Sequence, residues 1–114
     1  MRLPVPRLWL CTEPVDMRKS YDGLCALVSG RMGDDPSAGD GFIFINRRRT
    51  QMKCLYFDTD GYCIWAKRLE RGLFQHTTAS GLLRLPLSQT EFSALLEGLD
   101  VAIRRRRKRY ARPD

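Results

Sequence analysis

The chain has 114 residues, of which 43% are hydrophobic and 10% aromatic, and it carries a net charge of +7. This length and composition indicate one globular domain, and no apolar run approaches the roughly 20 residues of a membrane-spanning helix. Because the N-terminus also lacks the apolar core of a signal peptide, we expect a cytoplasmic protein.

Metal and cofactor chemistry finds little support in the composition. The four cysteines, Cys11, Cys25, Cys54 and Cys63, form no Cys-x-x-Cys pair, and His76 is the only histidine. This excludes the close-spaced ligands of a zinc finger or ribbon. Each cysteine lies in an apolar run, so we expect buried free thiols. We therefore predict no catalytic residue, no metal site and no cofactor.

The N-terminal part predicts a short strand followed by a helix. Residues 7–11 alternate well enough for a strand, which Pro14 ends. Asp16 is a plausible N-cap for a helix whose apolar residues recur at spacings of three and four, namely Met17, Tyr21, Leu24, Cys25, Val28 and Met32. Gly23 interrupts this helix at a cost of about 1 kcal/mol relative to alanine. It indicates either close contact with the sheet or a merely tolerated glycine.

The most apolar stretch of the chain follows a loop at residues 33–41 and predicts an antiparallel meander. Its strands are residues 41–45, 52–57 and 62–69, and Leu73 and Phe74 begin a fourth. The Asp-Gly pair that ends at Gly61 tolerates the positive φ of a tight hairpin, and Gly72 supplies a similar glycine before the fourth strand.

Basic residues mark one loop of this meander as a candidate binding site. Arg47, Arg48 and Arg49 are consecutive, and because like charges repel, their loop is either a solvated tip or an anion site suited to phosphate. Four further cations extend the candidate nucleic-acid surface: Lys53, Lys67, Arg68 and Arg71. The nearby aromatic residues indicate either a base-stacking platform or ordinary core packing: Tyr56, Tyr62 and Trp65.

The C-terminal helix has the clearest local pattern in the sequence. Residues 88–91 read Ser-Gln-Thr-Glu, a capping box in which Ser88 and Glu91 exchange hydrogen bonds with each other's amide. Leu87 and Phe92 are placed to form a hydrophobic staple. Phe92, Leu95, Leu96 and Leu99 form the apolar stripe, Gly98 suits a left-handed end, and Leu82, Leu83 and Leu85 predict one more edge strand before the helix.

These elements predict an α+β fold: a central antiparallel sheet of about five strands, with one helix before it and one after it. We place a single domain at residues 1–100 and a basic, flexible arm at residues 101–114. Seven basic residues and one acid give the arm a charge of +6, which leaves +1 for the first 100 residues. Six of its cations are consecutive: Arg104, Arg105, Arg106, Arg107, Lys108 and Arg109. Such an arm would neutralise roughly five phosphates without reading base sequence.

Several motifs together resemble one known family across nearly the whole chain. They are Asp16-Met17-Arg18-Lys19, Tyr21-Asp22-Gly23-Leu24, the arginine-rich hairpin before Lys53, Asp58-Thr59-Asp60-Gly61, Lys67-Arg68-Leu69-Glu70-Arg71-Gly72 and Leu95-Leu96-Glu97-Gly98-Leu99-Asp100. In this order they resemble the TnpB, or second-reading-frame (Orf2-like), proteins of the IS66 family of bacterial insertion sequences. These proteins are unrelated to the RNA-guided nuclease that shares the TnpB name.

The resemblance implies a small accessory protein needed for transposition of its element, with strand transfer performed by a separate, larger transposase. It does not identify a reaction for this chain. Two positions depart from the family pattern: Gln75-His76-Thr77 replaces an aromatic-proline pair, and Val101 stands where a tryptophan is common.

Three functions compete at this point. The first is a non-catalytic factor that binds nucleic acid through the arginine loop and the basic arm. The second is an adaptor that docks only on protein, with the transposase or other proteins of the same element as partners. The third is a metal-dependent nuclease, because Asp58, Asp60 and Glu70 come from neighbouring turns and carboxylates bind Mg²⁺. We favour the first, with DNA as the partner.

Overall fold

A computed structural model describes residues 2–75 and 82–98. It confirms the α+β class, with five strands and two helices in these residues: β1 Leu8–Cys11, α1 Tyr21–Gly30, β2 Gly41–Ile45, β3 Gln51–Asp58, β4 Gly61–Arg68, β5 Arg84–Leu87 and α2 Gln89–Leu96. The predictions for His76, Leu99 and the arm at residues 101–114 lie outside the described residues.

The five strands form one sheet in the order β4-β3-β2-β1-β5. The predicted antiparallel meander is confirmed as β2-β3-β4. The edge strand predicted from Leu82, Leu83 and Leu85 is β5, which begins only at Arg84 and pairs antiparallel with β1. One pairing differs from the expected antiparallel sheet, because β1 runs parallel to β2. The connection of residues 12–40 contains α1 and returns the chain to the end of the sheet where β1 began, so β2 points the same way as β1.

The two helices cover opposite faces of the sheet, which creates two separate cores. Leu24 and Val28 of α1 pack against Phe42, Phe44 and other residues on one face. On the other face, α2 packs against a cluster of strand residues that includes Leu10, Ile43, Met52 and Cys54. All five residues of β2 are therefore buried, as expected for a strand covered on both sides.

Helix α1 begins later than predicted. Its N-cap is Ser20, whose side chain makes no capping hydrogen bond. Asp16 instead accepts hydrogen bonds from the amide of Arg18 (2.8 Å) and from its guanidinium group. A local side-chain bond of this kind competes with helix capping, so residues 17–20 remain outside the helix.

Gly23 was predicted either to contact the sheet closely or to be merely tolerated. A Cβ at Gly23 would lie 3.2 Å from the Cβ of Lys19, so the close neighbour of Gly23 is Lys19 and not the sheet.

Helix α2 confirms the pattern read from the sequence. The Ser88 hydroxyl accepts from the amide of Glu91 at 3.0 Å, and the Glu91 carboxylate accepts from the amide of Ser88 at 2.9 Å. Leu87 and Phe92 are buried in the same core cluster. Gly98 adopts φ +77° just beyond the helix, the left-handed conformation that glycine permits at such an end.

Two turn predictions are corrected by the backbone. Leu73 and Phe74 form no strand; Gly72 turns the chain at φ +76°, and the Phe74 amide donates to the carbonyl of Arg49 at 2.8 Å. In the β3–β4 hairpin the positive φ falls on Thr59 (+53°) and not on the Asp-Gly pair, because Asp58 pairs with Gly61 and leaves Thr59 and Asp60 as the two loop residues.

The helices of the described residues are short. Helix α1 has ten residues and α2 has eight. Within residues 2–75 and 82–98, neither has the length and hydropathy that a membrane-crossing helix requires.

Candidate nucleic-acid interface

A closely bonded turn presents the three consecutive arginines, which we call the arginine turn (Arg47, Arg48 and Arg49). Asn46, the residue before it, accepts with its side-chain oxygen from the amides of Thr50 (2.9 Å) and Gln51 (3.0 Å). The Arg49 amide donates to the Asn46 carbonyl at 3.0 Å. Arg49 itself has φ +61°, a left-handed conformation that costs a non-glycine residue roughly 1–2 kcal/mol. The turn therefore has a defined shape.

The guanidinium groups of this turn are available for a ligand. Arg47 and Arg48 are exposed and Arg49 is half-buried. Among the described residues, the side chains of the arginine turn and of Arg71 take part in none of the salt bridges, which involve Arg18, Arg31, Arg68 and Arg84 instead. Unpaired guanidinium forks can bind phosphate oxygens in bidentate geometry.

Backbone hydrogen bonds bring a second basic segment to the same end of the sheet. The last residue of β4, Arg68, pairs with Gln51, two residues after the arginine turn. The Leu69 amide donates to the carbonyl of Thr50, and the Phe74 amide donates to that of Arg49, both at 2.8 Å. The segment of residues 69–74, with exposed Arg71, is thus tied to the turn at both of its ends.

A third contribution comes from the loop before α1. An open hollow of about 560 Å³ is lined by Asp16 and Arg18 on one side and by Arg47 and Arg48 on the other. Arg18 is exposed, and its guanidinium group lies 2.6 Å from the Asp16 carboxylate. The hydrogen bonds from Arg18 lower the pKa of the Asp16 carboxyl to about 2. In return, Asp16 raises the pKa of Arg18. The hollow therefore holds three cations against one anion at neutral pH.

We call the resulting surface the arginine end. It consists of Arg18, Arg47, Arg48, Arg49, Arg68 and Arg71. Five of these residues were singled out from the sequence. Arg18 was missed as a site residue because it precedes the arginine turn by about thirty positions, and only the parallel placement of β1 and β2 brings their following loops together. The predicted first helix included Arg18, so no local pattern marked it as a site residue.

The two lysines of the predicted surface lie on opposite faces of the sheet. Lys53 donates to the carbonyl of Lys19 on the α1 side at 2.7 Å. Lys67 donates to the carbonyl of Leu96, at the end of α2, at 2.9 Å. Each ammonium group is thus bonded to a backbone carbonyl, that of Lys53 in the loop before α1 and that of Lys67 at the end of α2.

The described part of α2 ends beside the arginine end. A Cβ at Gly98 would lie 3.2 Å from the carbonyl oxygen of Leu73, and Leu73 directly precedes Phe74, which bonds to the arginine turn. The chain after Gly98 continues toward the six consecutive cations at residues 104–109. Those residues lie outside the described part.

The aromatic residues of the meander pack mainly in the cores. Tyr56 and Trp65 contact the α2-side cluster, and Tyr62 contacts the α1-side cluster. The Trp65 ring lies edge-to-face on Phe92, with centroids 6.2 Å apart. Of the two alternatives, this placement favours core packing over a base-stacking platform.

The carboxylates considered for a metal site do not converge. Asp58 and Asp60 lie at one end of β4 and Glu70 at the other, so the eight residues of β4 separate them by about 25 Å. Their turns are neighbours in the sequence only, because an antiparallel meander puts successive turns at opposite ends of the sheet. Among residues 2–75 and 82–98, no three His, Cys, Asp or Glu side chains are grouped to hold a metal ion.

The cysteines are free in the described structure, with Cys11 and Cys54 buried and Cys25 and Cys63 half-buried. Desolvation raises the pKa of the Cys11, Cys25 and Cys54 thiols. A raised pKa keeps these three thiols protonated near neutral pH, which disfavours nucleophilic or metal-binding chemistry.

Comparison with known proteins gives a consistent match. The family model described as IS66 Orf2 like protein matches residues 6–106. The uncharacterized protein y4jC of Sinorhizobium fredii (strain NBRC 101917 / NGR234) is 39% identical over 108 residues, which cover 94% of this chain and 90% of that protein. The uncharacterized protein y4hO of the same strain is 33% identical over 94 residues, or 82% and 81% of the two chains. No solved structure matches.

Proposed function

This chain belongs to the family of IS66 Orf2-like proteins, accessory proteins of bacterial insertion sequences, and from that premise we propose that it binds nucleic acid and catalyses no reaction itself. The single observation that carries the proposal is the arginine end. Three separate segments of the chain place arginines there, and four of these side chains have no acidic partner in the described residues. DNA is the polyanion that a transposition factor is expected to meet.

The shape of the arginine turn supports this proposal independently of its charge. A turn selected only for folding would carry glycine or asparagine at its left-handed position, whereas this turn carries Arg49 at φ +61°. The side chain of Asn46 holds the turn through two amide hydrogen bonds. Arg47 and Arg48 are thus presented on a pre-formed backbone, which reduces the ordering cost of binding.

The chemistry of the arginine end predicts backbone contacts rather than base readout. Guanidinium groups bind phosphate oxygens irrespective of sequence, and such contacts set affinity and register. Each neutralised phosphate contributes about 0.9 to the slope of log K against log salt concentration for duplex DNA. The proposed binding therefore weakens steeply as salt is added and discriminates little between sequences.

The test is fluorescence anisotropy of a labelled DNA duplex across a salt series. We expect Arg47→Ala/Arg48→Ala to lower the magnitude of the salt slope by about 2 and to weaken binding at low salt about ten- to hundredfold. Arg47→Lys/Arg48→Lys retains both charges and should retain the slope, while losing some affinity because the planar fork is gone.

Arg2→Ala/Arg7→Ala is the matched control, because it removes two exposed cations from the opposite end of the sheet. We expect it to leave the slope nearly unchanged. Equal losses of affinity in the two double variants would show that only net charge matters, and binding that does not depend on salt would contradict the proposal.

A cleavage assay tests the non-catalytic part of the proposal: the duplex should remain intact after incubation with the protein and Mg²⁺. Metal-dependent cleavage that Asp58→Ala/Asp60→Ala abolishes would refute that part.

A second function is favoured by one specific observation. Leu73, Leu82 and Leu83 are exposed large apolar residues, and Leu82 and Leu83 lead into β5 next to Thr12, which bonds to both of their carbonyls. Exposed apolar side chains favour a protein partner, such as the transposase of the same element. Binding to that protein would change little with salt, and Leu82→Ser/Leu83→Ser would weaken it without affecting the DNA salt slope.

A further inference from the structure

The two edges of the sheet differ in how well they are protected against pairing with another strand. The β5 edge is four residues long and contains Pro86, which cannot donate a hydrogen bond and blunts an edge. The β4 edge is eight residues long, without proline, and residues 61–66 read Gly-Tyr-Cys-Ile-Trp-Ala, without a charge. Among the described residues, no strand pairs with the outer side of β4.

The side chains of β4 are apolar on both faces and only partly covered. Tyr62 and Ile64 contact the α1-side core, and Trp65 contacts the α2-side core. All three keep part of their surface exposed. A long edge with unpaired backbone groups and apolar side chains on both faces is a template for a further strand.

The charges at the two ends of β4 identify which strand fits. Asp60, immediately before β4, is exposed and takes part in no salt bridge among the described residues, and the strand ends in exposed Arg68. Arg68 is bonded at 2.9 Å to Glu70 of its own chain, but both side chains are largely solvent-exposed, and such a pair exchanges partners at little cost. A partner strand must therefore offer a cation opposite Asp60 and an anion opposite Arg68.

We infer that this partner is β4 of a second copy of the chain, paired antiparallel about a two-fold axis at Ile64. In this register Ile64 lies opposite Ile64 of the other copy, and the turn residue Asp60, just before Gly61, lies at the end of the pairing that Arg68 of the other copy reaches. Cys63 meets Trp65 on one face, and Tyr62 meets Ala66 on the other. The pairing is self-complementary, as a two-fold interface requires, and it joins the two sheets into one of ten strands.

The inference does not rest on nucleic-acid binding, although Arg68 belongs to both surfaces. The other residues of the arginine end lie beyond the end of β4, so the two-fold axis places the two arginine ends at opposite ends of the joined sheet. Pairing through one strand covers less surface than the 1,200–2,000 Å² of a typical stable interface. We therefore expect association that depends on protein concentration and does not require DNA.

Sedimentation equilibrium of the full chain tests the pairing. The wild-type mass should rise from 13.2 kDa toward twice that value as the concentration increases. Asp60→Arg and Arg68→Asp each put like charges together at both ends, and each should weaken self-association at least tenfold. Because both residues are exposed, neither change threatens the fold.

Mixing the two charge variants provides the matched control. One variant then contributes two cations and the other two anions, so opposite charges face each other again at both ends, and association should return as a mixed dimer. A wild-type mass that remains at 13.2 kDa up to about 1 mM would overturn the inference. So would self-association that is equal in the wild type and in both single variants.

A disulfide tests the register directly. Residues opposite each other in an antiparallel pair have Cα atoms about 4.5–5.5 Å apart, which is within disulfide range. Ile64→Cys should therefore give a covalent dimer under mild oxidation, with the introduced thiols joined to each other when mapped by mass spectrometry. Ala26→Cys, on the exposed side of α1, is the control and should form no covalent dimer through the introduced thiol. Absence of the expected bond in a folded Ile64→Cys variant would refute this register.

Discussion

At the scale of single residues, Arg49 shows how a proposed binding surface can conflict with stability. Its backbone has φ +61°, a conformation in which the Cβ of an L-residue crowds the carbonyl oxygen that follows. Its carbonyl accepts the Phe74 amide, so the strained backbone also positions residues 69–74. Neither the strain nor this bond was predictable from three arginines in a row, because both depend on where residue 74 returns in the fold.

Arg49→Gly should raise the free energy of unfolding by about 1 kcal/mol, because glycine adopts this conformation without strain. The same change should weaken DNA binding and lower the magnitude of the salt slope by about 0.9. Urea denaturation and the anisotropy series measure the two effects. Arg48→Gly is the control: it removes the same charge from a residue without positive φ, so it should not stabilise the fold. Equal stability changes in both variants would contradict the strain argument.

At the scale of elements, the sequence was most informative where the decisive contacts are local. The capping box of α2 involves residues three apart, and the structure reproduces it. The predicted start of α1 was wrong because the Asp16 side chain bonds to Arg18, two residues away, and does not cap the helix. The parallel pairing of β1 with β2 depends on a crossover of nearly thirty residues, and no local pattern encodes the direction in which such a connection returns.

The lysines of the meander illustrate the same limit for the site. In the sequence, Lys53 and Lys67 are two cations of the same basic stretch, and both were predicted to belong to the nucleic-acid surface. In the structure Lys67 lies on the α2 side and donates to the carbonyl of Leu96. The last turn of α2 contains no basic residue of its own, so a strand of the sheet supplies the cation that favours a helix C-terminus.

Lys67→Met retains the aliphatic length of the side chain and removes the ammonium group. We expect the free energy of unfolding to fall by about 1 kcal/mol, while the salt slope of DNA binding stays unchanged. Arg68→Met, the adjacent control, should lower the slope and affect stability less, because its ion pair with Glu70 is exposed. If Lys67→Met lowered the slope by about 0.9 without destabilising the protein, Lys67 would belong to the interface instead.

At the scale of the whole molecule, the distribution of charge follows from the topology. The loop after β1, the turn after β2 and the segment after β4 meet at one end of the sheet because β1 and β2 are parallel and β4 follows two antiparallel turns. Helix α2 crosses the opposite face and ends beside Leu73 at that same end. The basic residues of three segments that are far apart in the sequence thus lie on one side of the molecule.

We expect the arginine turn and the basic residues 104–109 to act on one DNA duplex, because Gly98, the last described residue, lies beside Leu73 in the segment that bonds to the turn. A truncation that ends at Ile103 should lower the magnitude of the salt slope by about 4 to 5, and Arg47→Ala/Arg48→Ala should lower it by about 2 more in the truncated chain, as it does in the full chain. If the two parts bound different ligands, the turn variant would leave the salt slope of the full-length protein on this duplex unchanged. Because Gly98 lies next to Leu73, in the segment that bonds to the turn, shortening the duplex to about ten base pairs should preserve both contributions.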